Sequence, residues 1–399
     1  MPKNITISLK YLLPLLAAIL AVSPLAVDMY LPAMPVIATD LSTDISMIQN
    51  SLSIYLLGYA LGLILFGPMA DKYSRRKLVL LGVGGFFVAS VLLPYVQSVE
   101  QFLLLRFCQA FISSAATVVV PATIKEYYGK NTAKGLSYVS MIMMFAPMIA
   151  PAIGSFLLVS HSWQLIFFAL AAYSLFIWIL VFFFLPEANK VENKQEYSFI
   201  ERYKIVFSNQ EARLDIASSM VISLAFFSYI TAIPFVYLEV FKVSEYTFSV
   251  LFAVNVLALM TAHFTNTRLV TRKGSRAMLW YGLTLACICA TALLIVNIYQ
   301  LPLAYTVVTI LPLMGSISMI AVNSDALVIT KFTEQSGTAT AVIGTLRWSI
   351  GALAGPILAY FYDGTGLPFA GLMFGSVLIV LACQLVVRFK QKESSKQAL

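Results

Sequence analysis

The chain has 399 residues, of which 60% are hydrophobic and only 11% charged, with a formal net charge of +8. A soluble domain is about a quarter charged, so this composition excludes an ordinary soluble enzyme, a disordered chain and a secreted disulfide scaffold. It points instead to an all-α membrane protein with many crossings, in which short Lys/Arg runs between apolar stretches set orientation rather than bind nucleic acid.

Apolar runs long enough to cross the hydrocarbon core fall near residues 11–32, 47–69, 78–97, 101–124, 137–159, 164–185, 214–238, 246–267, 277–298, 302–327, 337–360 and 367–388, which predicts 12 transmembrane helices. Lys3 and Lys10 precede the first run in the manner of a signal peptide. No small-x-small cleavage site closes that run before Asp28, so it is taken as span one. Span one carries Asp28, close to its expected outer end, and Tyr30. Span two carries Tyr55, Gly58, Tyr59 and Gly62, and a loop from Gly67 through Asp71 to Arg75 and Arg76 follows it. Span four carries Arg106, at a depth similar to that of Asp28, and Gln109. Span five carries Tyr138, Met141, Pro147, Pro151 and Gly154.

Orientation follows from the basic residues. With the N-terminus in the cytoplasm, Lys242 alone falls in an outer loop, and Arg106 and Arg347 fall inside spans. The rest of the 26 basic residues collect on the cytoplasmic side, which predicts that both termini are cytoplasmic. The longest loop divides the chain into an N-terminal six-helix half (1–185), a cytoplasmic linker (186–213) and a C-terminal six-helix half (214–399). Tyr197, Phe199, Ile200 and Tyr203 mark part of the linker as an interfacial helix. The halves echo each other. The basic loop Asp71–Lys77 recurs as Arg268–Arg276, and Pro151 with Gly154 as Gly355-Pro356. Two such halves related by an axis along the membrane normal describe the major facilitator architecture, in which the site lies between them near mid-membrane.

A charge inside a span costs several kcal/mol unless it is paired or wetted. Asp28 and Arg106 are therefore informative. One account is a buried ion pair that fixes helix packing; the other is a titratable carboxylate at which proton and substrate compete, with Arg106 as counter-charge. The candidate cavity takes Tyr30, Tyr55, Tyr59, Gln109, Tyr138 and Met141 from the first half. From the second it takes Tyr229, Asn255, Asn323, Arg347 and Trp348. Each alone is as readily a packing residue, but aromatic and Met side chains together make an adaptable apolar surface. Asp325 faces Arg347 or Lys331, or is solvated, and Glu239 and Asp215 read as interfacial. Gly58, Gly62, Gly351 and Gly355 have the small-xxx-small spacing of close helix contacts and are assigned to the interface of the halves. His161 and His263 lack metal-ligand company and the four cysteines lie in apolar stretches, so no metal and no cofactor is expected. Without a phosphate-binding loop the chain has no ATP drive of its own.

The stretch Gly67-Pro68-Met69-Ala70-Asp71-Lys72-Tyr73-Ser74-Arg75-Arg76-Lys77 resembles the loop signature of the major facilitator superfamily, with Ser74 in place of a glycine. The stretch Asp28-Met29-Tyr30-Leu31-Pro32-Ala33-Met34-Pro35 is similar to the first-span ending of the Bcr/CflA family of drug exporters. So are Trp163 to Phe167, Pro234 to Glu239 and Gly337-Thr338-Ala339. Arg106 and Gln109 look like that family's span-four motif, with Ala110, Ser113 and Ser114 where it usually has glycines. Pro147, Pro151 and Gly154 resemble the antiporter motif of span five. The resemblance implies a cytoplasmic gate at Gly67, Asp71, Arg75 and Arg76, and proton coupling at Asp28 and Arg106. It implies a monomeric, proton-coupled exporter of small amphipathic or drug-like molecules, multi-pass in the inner membrane and not an enzyme. Export of one metabolite or siderophore, sugar-type symport, and a receptor or scaffold that no longer transports are the alternatives.

Overall fold

The computed structural model describes residues 9–128, 132–160, 162–185, 199–209, 212–332 and 336–397. Among the described residues every regular element is helical. In chain order these are α1 (Leu9–Asp28), α2 (Met34–Asp40), α3 (Ile45–Lys72), α4 (Arg75–Leu92), α5 (Val99–Thr117), α6 (Val119–Tyr128), α7 (Thr132–Ser160) and α8 (Gln164–Phe184). Then come α9 (Phe199–Ser208), α10 (Arg213–Pro234), α11 (Glu245–Lys273), α12 (Ser275–Ile298), α13 (Leu303–Ile329), α14 (Ser336–Gly351), α15 (Ala354–Tyr360) and α16 (Leu367–Gln397).

Among the described residues eleven segments are long and apolar enough to cross a membrane. The expected fifth span falls on α7, a helix of 29 residues whose apolar part is described only over Phe145–Leu158. The first span differs from expectation. Its apolar segment runs from Leu12 to Asp40, well past the expected end at residue 32. Pro32 and Pro35 occupy the second positions of a 3-10 turn (Leu31–Ala33) and of α2. Proline is tolerated there because the N–H it lacks would be unsatisfied anyway. The prolines therefore restart the helix instead of ending the span, and Asp28, the last residue of α1, sits at a break inside the span and not near its outer end.

The chain forms two compact units, Met1–Glu196 with Val243–Ala253, and Tyr197–Lys242 with Val254–Leu399. The opening turns of α11 thus belong to the first unit. There Ser249 Oγ donates to the Pro151 carbonyl at 3.0 Å, and the hydroxyls of Ser155 and Ser249 lie 2.6 Å apart. Within the first unit α3 and α5 pack with almost no intervening side chain. A Cβ at Gly58 would sit 2.6 Å from the Phe107 carbonyl oxygen, and one at Gly62 would overlap Ser114. Gly58 and Gly62 therefore serve the interior of the first unit, and Gly351 lies against Phe227 of α10 in the second. Their expected place at the interface of the halves is corrected. The small residues Ala110, Ser113 and Ser114 complete the close approach, because dispersion contacts between helices grow as backbones near each other. In the second unit α9 anchors through buried Val206 to a cluster containing Ile216, Val328, Val342 and Ile343.

Candidate functional site

The site in the first unit is built on one face of α5. Phe102, Arg106, Gln109 and Ser113 recur at helical spacing and are all buried. Arg106 is 0% exposed. Its Nη1 donates to Gln109 Oε1 at 2.7 Å, Gln109 Nε2 donates to Ser90 Oγ at 2.8 Å, and Ser90 Oγ donates to the Phe86 carbonyl at 2.7 Å. This relay pins the guanidinium from one side. From the other, its carbon lies 4.3 Å from the Tyr30 ring centre and 4.5 Å from that of Tyr55, with Phe167 at 6.0 Å. The two tyrosines are held in turn. The Tyr30 hydroxyl is 3.1 Å from Ser51 Oγ, and that of Tyr55 is 3.2 Å from Ser23 Oγ. Tyr59, one turn on, donates to Thr117 at 2.7 Å.

Asp28 is 3% exposed, so both predicted charges are buried. Among the described residues no ion pair or side-chain hydrogen bond joins Asp28 to Arg106. The expected pair is thus not closed, and among the described residues Arg106 Nε and Nη2 have no hydrogen-bond partner. The reason lies in α1. The helix breaks right after Asp28, and the turn that follows brings the Tyr30 ring over the guanidinium. Cation–π contacts give up to about 2 kcal/mol each when desolvated, less than the several kcal/mol that burying an ion costs. Arg106 therefore presents two N–H donors with unmet demand.

Pro147 and Pro151 lie in α7, and Pro151 is buried. A Cβ at Gly154 would overlap the Met29 carbonyl oxygen. Only glycine lets α7 reach the break in α1, so the proline–glycine motif abuts the residue next to Asp28. Tyr138 is 44% exposed, and the side chain of Met141 lies outside the described residues.

In the basic loop, Arg75 forms an ion pair with Glu126 of α6. Arg76 donates to the Phe182 carbonyl in the last turn of α8, with its guanidinium 5.6 Å from the Phe182 ring centre. Cations at the start of a helix oppose its dipole, and a carboxylate and a helix C-terminus offset that. A Cβ at Gly67 would meet nothing within 4 Å. The side chain of Asp71 lies outside the described residues.

In the second unit Asp325 accepts from both Arg347 and Ser219, so Arg347 is an ion-pair residue before it is a cavity residue. Lys331, the other expected partner of Asp325, lies 3.1 Å from Asp215 instead. Asp215, at the start of α10, is not solvated at that end of the span. It is fully buried, held by Arg276 at 2.8 and 3.0 Å and by Gln384 Nε2 at 3.1 Å. Glu239 pairs with Lys242 at 2.8 Å on the surface. Asn323 donates to Asn266 at 2.7 Å and to the Met319 carbonyl at 2.8 Å, which commits it to packing α13 on α11. Asn255 is 2% exposed, yet among the described residues neither atom of its amide has a partner. Tyr229 is buried, and Trp348 packs on Phe227 with ring centres 5.4 Å apart. Phe167 lies in the segment Trp163 to Phe167 that the resemblance marks, while nothing in the sequence assigns Ser23, Ser51 and Ser90 to the site. Ser51 precedes Tyr55 by one turn, a faint signal; for Ser23 and Ser90 the sequence carries none.

The sequence matches the family model of the Major Facilitator Superfamily over residues 16–356. The chain belongs to the major facilitator superfamily. It is 29% identical over 360 residues to a bicyclomycin resistance protein homolog of Haemophilus influenzae, covering 89% of this chain and 90% of that protein. It is also 29% identical over 393 residues to a chloramphenicol resistance protein of Pseudomonas aeruginosa, covering 94% and 92%. The resemblance to Bcr/CflA-type drug-resistance transporters therefore stands. Among solved structures, the nucleoside transporter NupG superposes with a TM-score of 0.76 at 12% identity over 96% of this chain and 99% of that one. The xylose transporter XylE of E. coli superposes with a TM-score of 0.71 at 14% identity over 94% and 95%. At those identities the likeness concerns the fold. This superfamily member is thus a helical, multi-pass membrane transporter of small molecules, and its relatives are transporters, not enzymes.

Proposed function

We propose that this transporter exports small amphipathic or drug-like molecules by proton antiport, through alternating access. The observation that carries the reading is the arrangement at Arg106. A buried guanidinium with two unengaged donors and a separate buried carboxylate, Asp28, are retained inside the membrane at a cost in stability. Such groups earn no place in a static scaffold. In the proposed cycle Asp28 takes a proton from the outside, the proton displaces substrate, and deprotonation toward the cytoplasm readmits substrate. Arg106 supplies donors to whichever acceptor, carboxylate or substrate oxygen, approaches its face. A proton crossing 100 mV yields about 2.3 kcal/mol, which drives the cycle. The bicyclomycin- and chloramphenicol-resistance relatives support drug-like substrates.

The same reading takes α7 as the twelfth crossing, 1–185 and 214–399 as the two moving halves and 186–213 as their linker. It puts both termini in the cytoplasm, the chain in the inner membrane as a monomer, and the cavity at the aromatic and polar residues named above other than Asn323. The Arg75–Glu126 and Arg76–Phe182 contacts are the latch of a cytoplasmic gate with Gly67 and Asp71, and the prolines with Gly154 are the hinge of an exporter. The test is Asp28→Asn, reconstituted in vesicles with a pH dye. Substrate-driven proton release should disappear while substrate binding, by fluorescence quenching, persists. Normal proton-coupled transport in that variant ends the coupling proposal.

A further inference from the structure

A cavity of about 540 Å³ opens between α12 and α16 in the second unit, and none of the candidate cavity residues named above lines it. Arg276, Trp280 and Tyr281 line it from the first two turns of α12; Gln384, Val387 and Arg388 line it from one face of α16. The end of the bundle is fixed by sequence, because Arg272 and Lys273 stand immediately before α12 and are exposed. The cavity thus lies where a membrane-crossing helix meets the basic loop, at headgroup depth.

Its chemistry is one-sided. Among the described residues no carboxylate lines it. Arg388 is exposed and, among the described residues, has no acidic partner; its guanidinium lies 5.6 Å from the Trp280 ring centre. Arg276 is held rigidly by Asp215 at 2.8 Å and Gln384 at 2.7 Å, with its side chain 27% exposed. The acid behind it is shared with Lys331. Below the two arginines the walls carry Tyr281, Thr284 and Val387, and the Thr284 hydroxyl is spent on the Trp280 carbonyl at 2.9 Å. A clasped cation, an exposed cation beside an aromatic plate and a wall with Tyr281 and Val387 on it are complementary to one kind of molecule: a phosphate diester carrying acyl chains. We propose that this groove binds an anionic glycerophospholipid, its phosphate between Arg388 and Arg276 and a chain along Tyr281 and Val387. Basic pockets between membrane helices hold such headgroups on general electrostatic grounds, and Arg forks match phosphate oxygens. Because Arg276 also clasps Asp215, a lipid here bears on the contact that ties α10, α12 and α16 together.

The test uses the purified, delipidated full chain in detergent. Native mass spectrometry follows retention of phosphatidylglycerol against phosphatidylcholine of the same acyl chains. Wild type should retain phosphatidylglycerol selectively. Arg388→Ala, an exposed position whose change should leave the melting temperature of the delipidated protein unmoved, should weaken that retention about fivefold, the worth of one basic residue near an anionic headgroup. Arg388→Lys should restore part of it, and Lys273→Ala, which removes a charge at the same end outside the cavity, should retain the lipid as wild type does. Equal retention of the two lipids overturns the proposal. So does equal weakening by Lys273→Ala and Arg388→Ala, which describes a diffuse basic surface. Displacement by inorganic phosphate as efficiently as by lipid also overturns it, since the site would then hold a free anion. None of these readouts depends on transport.

Discussion

Replacing Arg106 by Met separates a structural charge from a functional one. The structure sets three opposing terms. The variant loses the two close ring contacts at 4.3 and 4.5 Å, about 1–2 kcal/mol each in a dry setting. It leaves Gln109 Oε1 without its donor, about 1–3 kcal/mol. Against these, it removes a fully buried ion whose Nε and Nη2 are unsatisfied, a relief of several kcal/mol. Met fills a similar volume and leaves no cavity. The terms nearly cancel, so the folded protein should change by no more than about 2 kcal/mol, whereas breaking a closed buried ion pair costs about 3–5 kcal/mol. The assay is thermal unfolding in detergent with folded yield by gel filtration, run beside vesicle transport. The expected outcome is near-wild-type folding with transport abolished. A collapse in folded yield, rescued by neutralising Asp28 as well, would refute the reasoning and make the two charges a packing pair.

Asp215→Ala should behave in the opposite way. It removes the carboxylate that Arg276 and Lys331 share, each about a quarter exposed, and should cost about 3 kcal/mol, read as a lower unfolding temperature; a melting curve like wild type would count against the cluster. Gly154→Ala drives a Cβ into the Met29 carbonyl and should destabilise by about 1–3 kcal/mol, while Gly67→Ala, with open space at its Cβ, should not lower the melting temperature; equal melting temperatures for the two variants would contradict the packing seen here. A cytoplasmic-only reporter fused after Leu399 should be active, and periplasmic activity at that position would overturn the orientation.

The amino-acid sequence alone determined the class of protein and the position of nearly every crossing, because hydropathy over about 20 residues is a local property that lipid enforces. It also marked Arg106 with Gln109, whose spacing of three residues closes a hydrogen bond within one helix. Partners of buried charges lay beyond it. Asp215 meets Arg276, Lys331 and Gln384 across 61, 116 and 169 positions, and such meetings depend on how each helix is rotated and on how closely its neighbours approach. Small residues decide that approach. Gly62 against Ser114 seats α3 on α5, and Gly154 against Met29 seats α7 on the break in α1. The prolines after Asp28 read in sequence as the end of span one, yet tertiary packing carries the chain on as α2 and turns Tyr30, not Asp28, onto Arg106. A one-dimensional pattern records which side chains are polar; only the packed helices decide which of them are left facing each other.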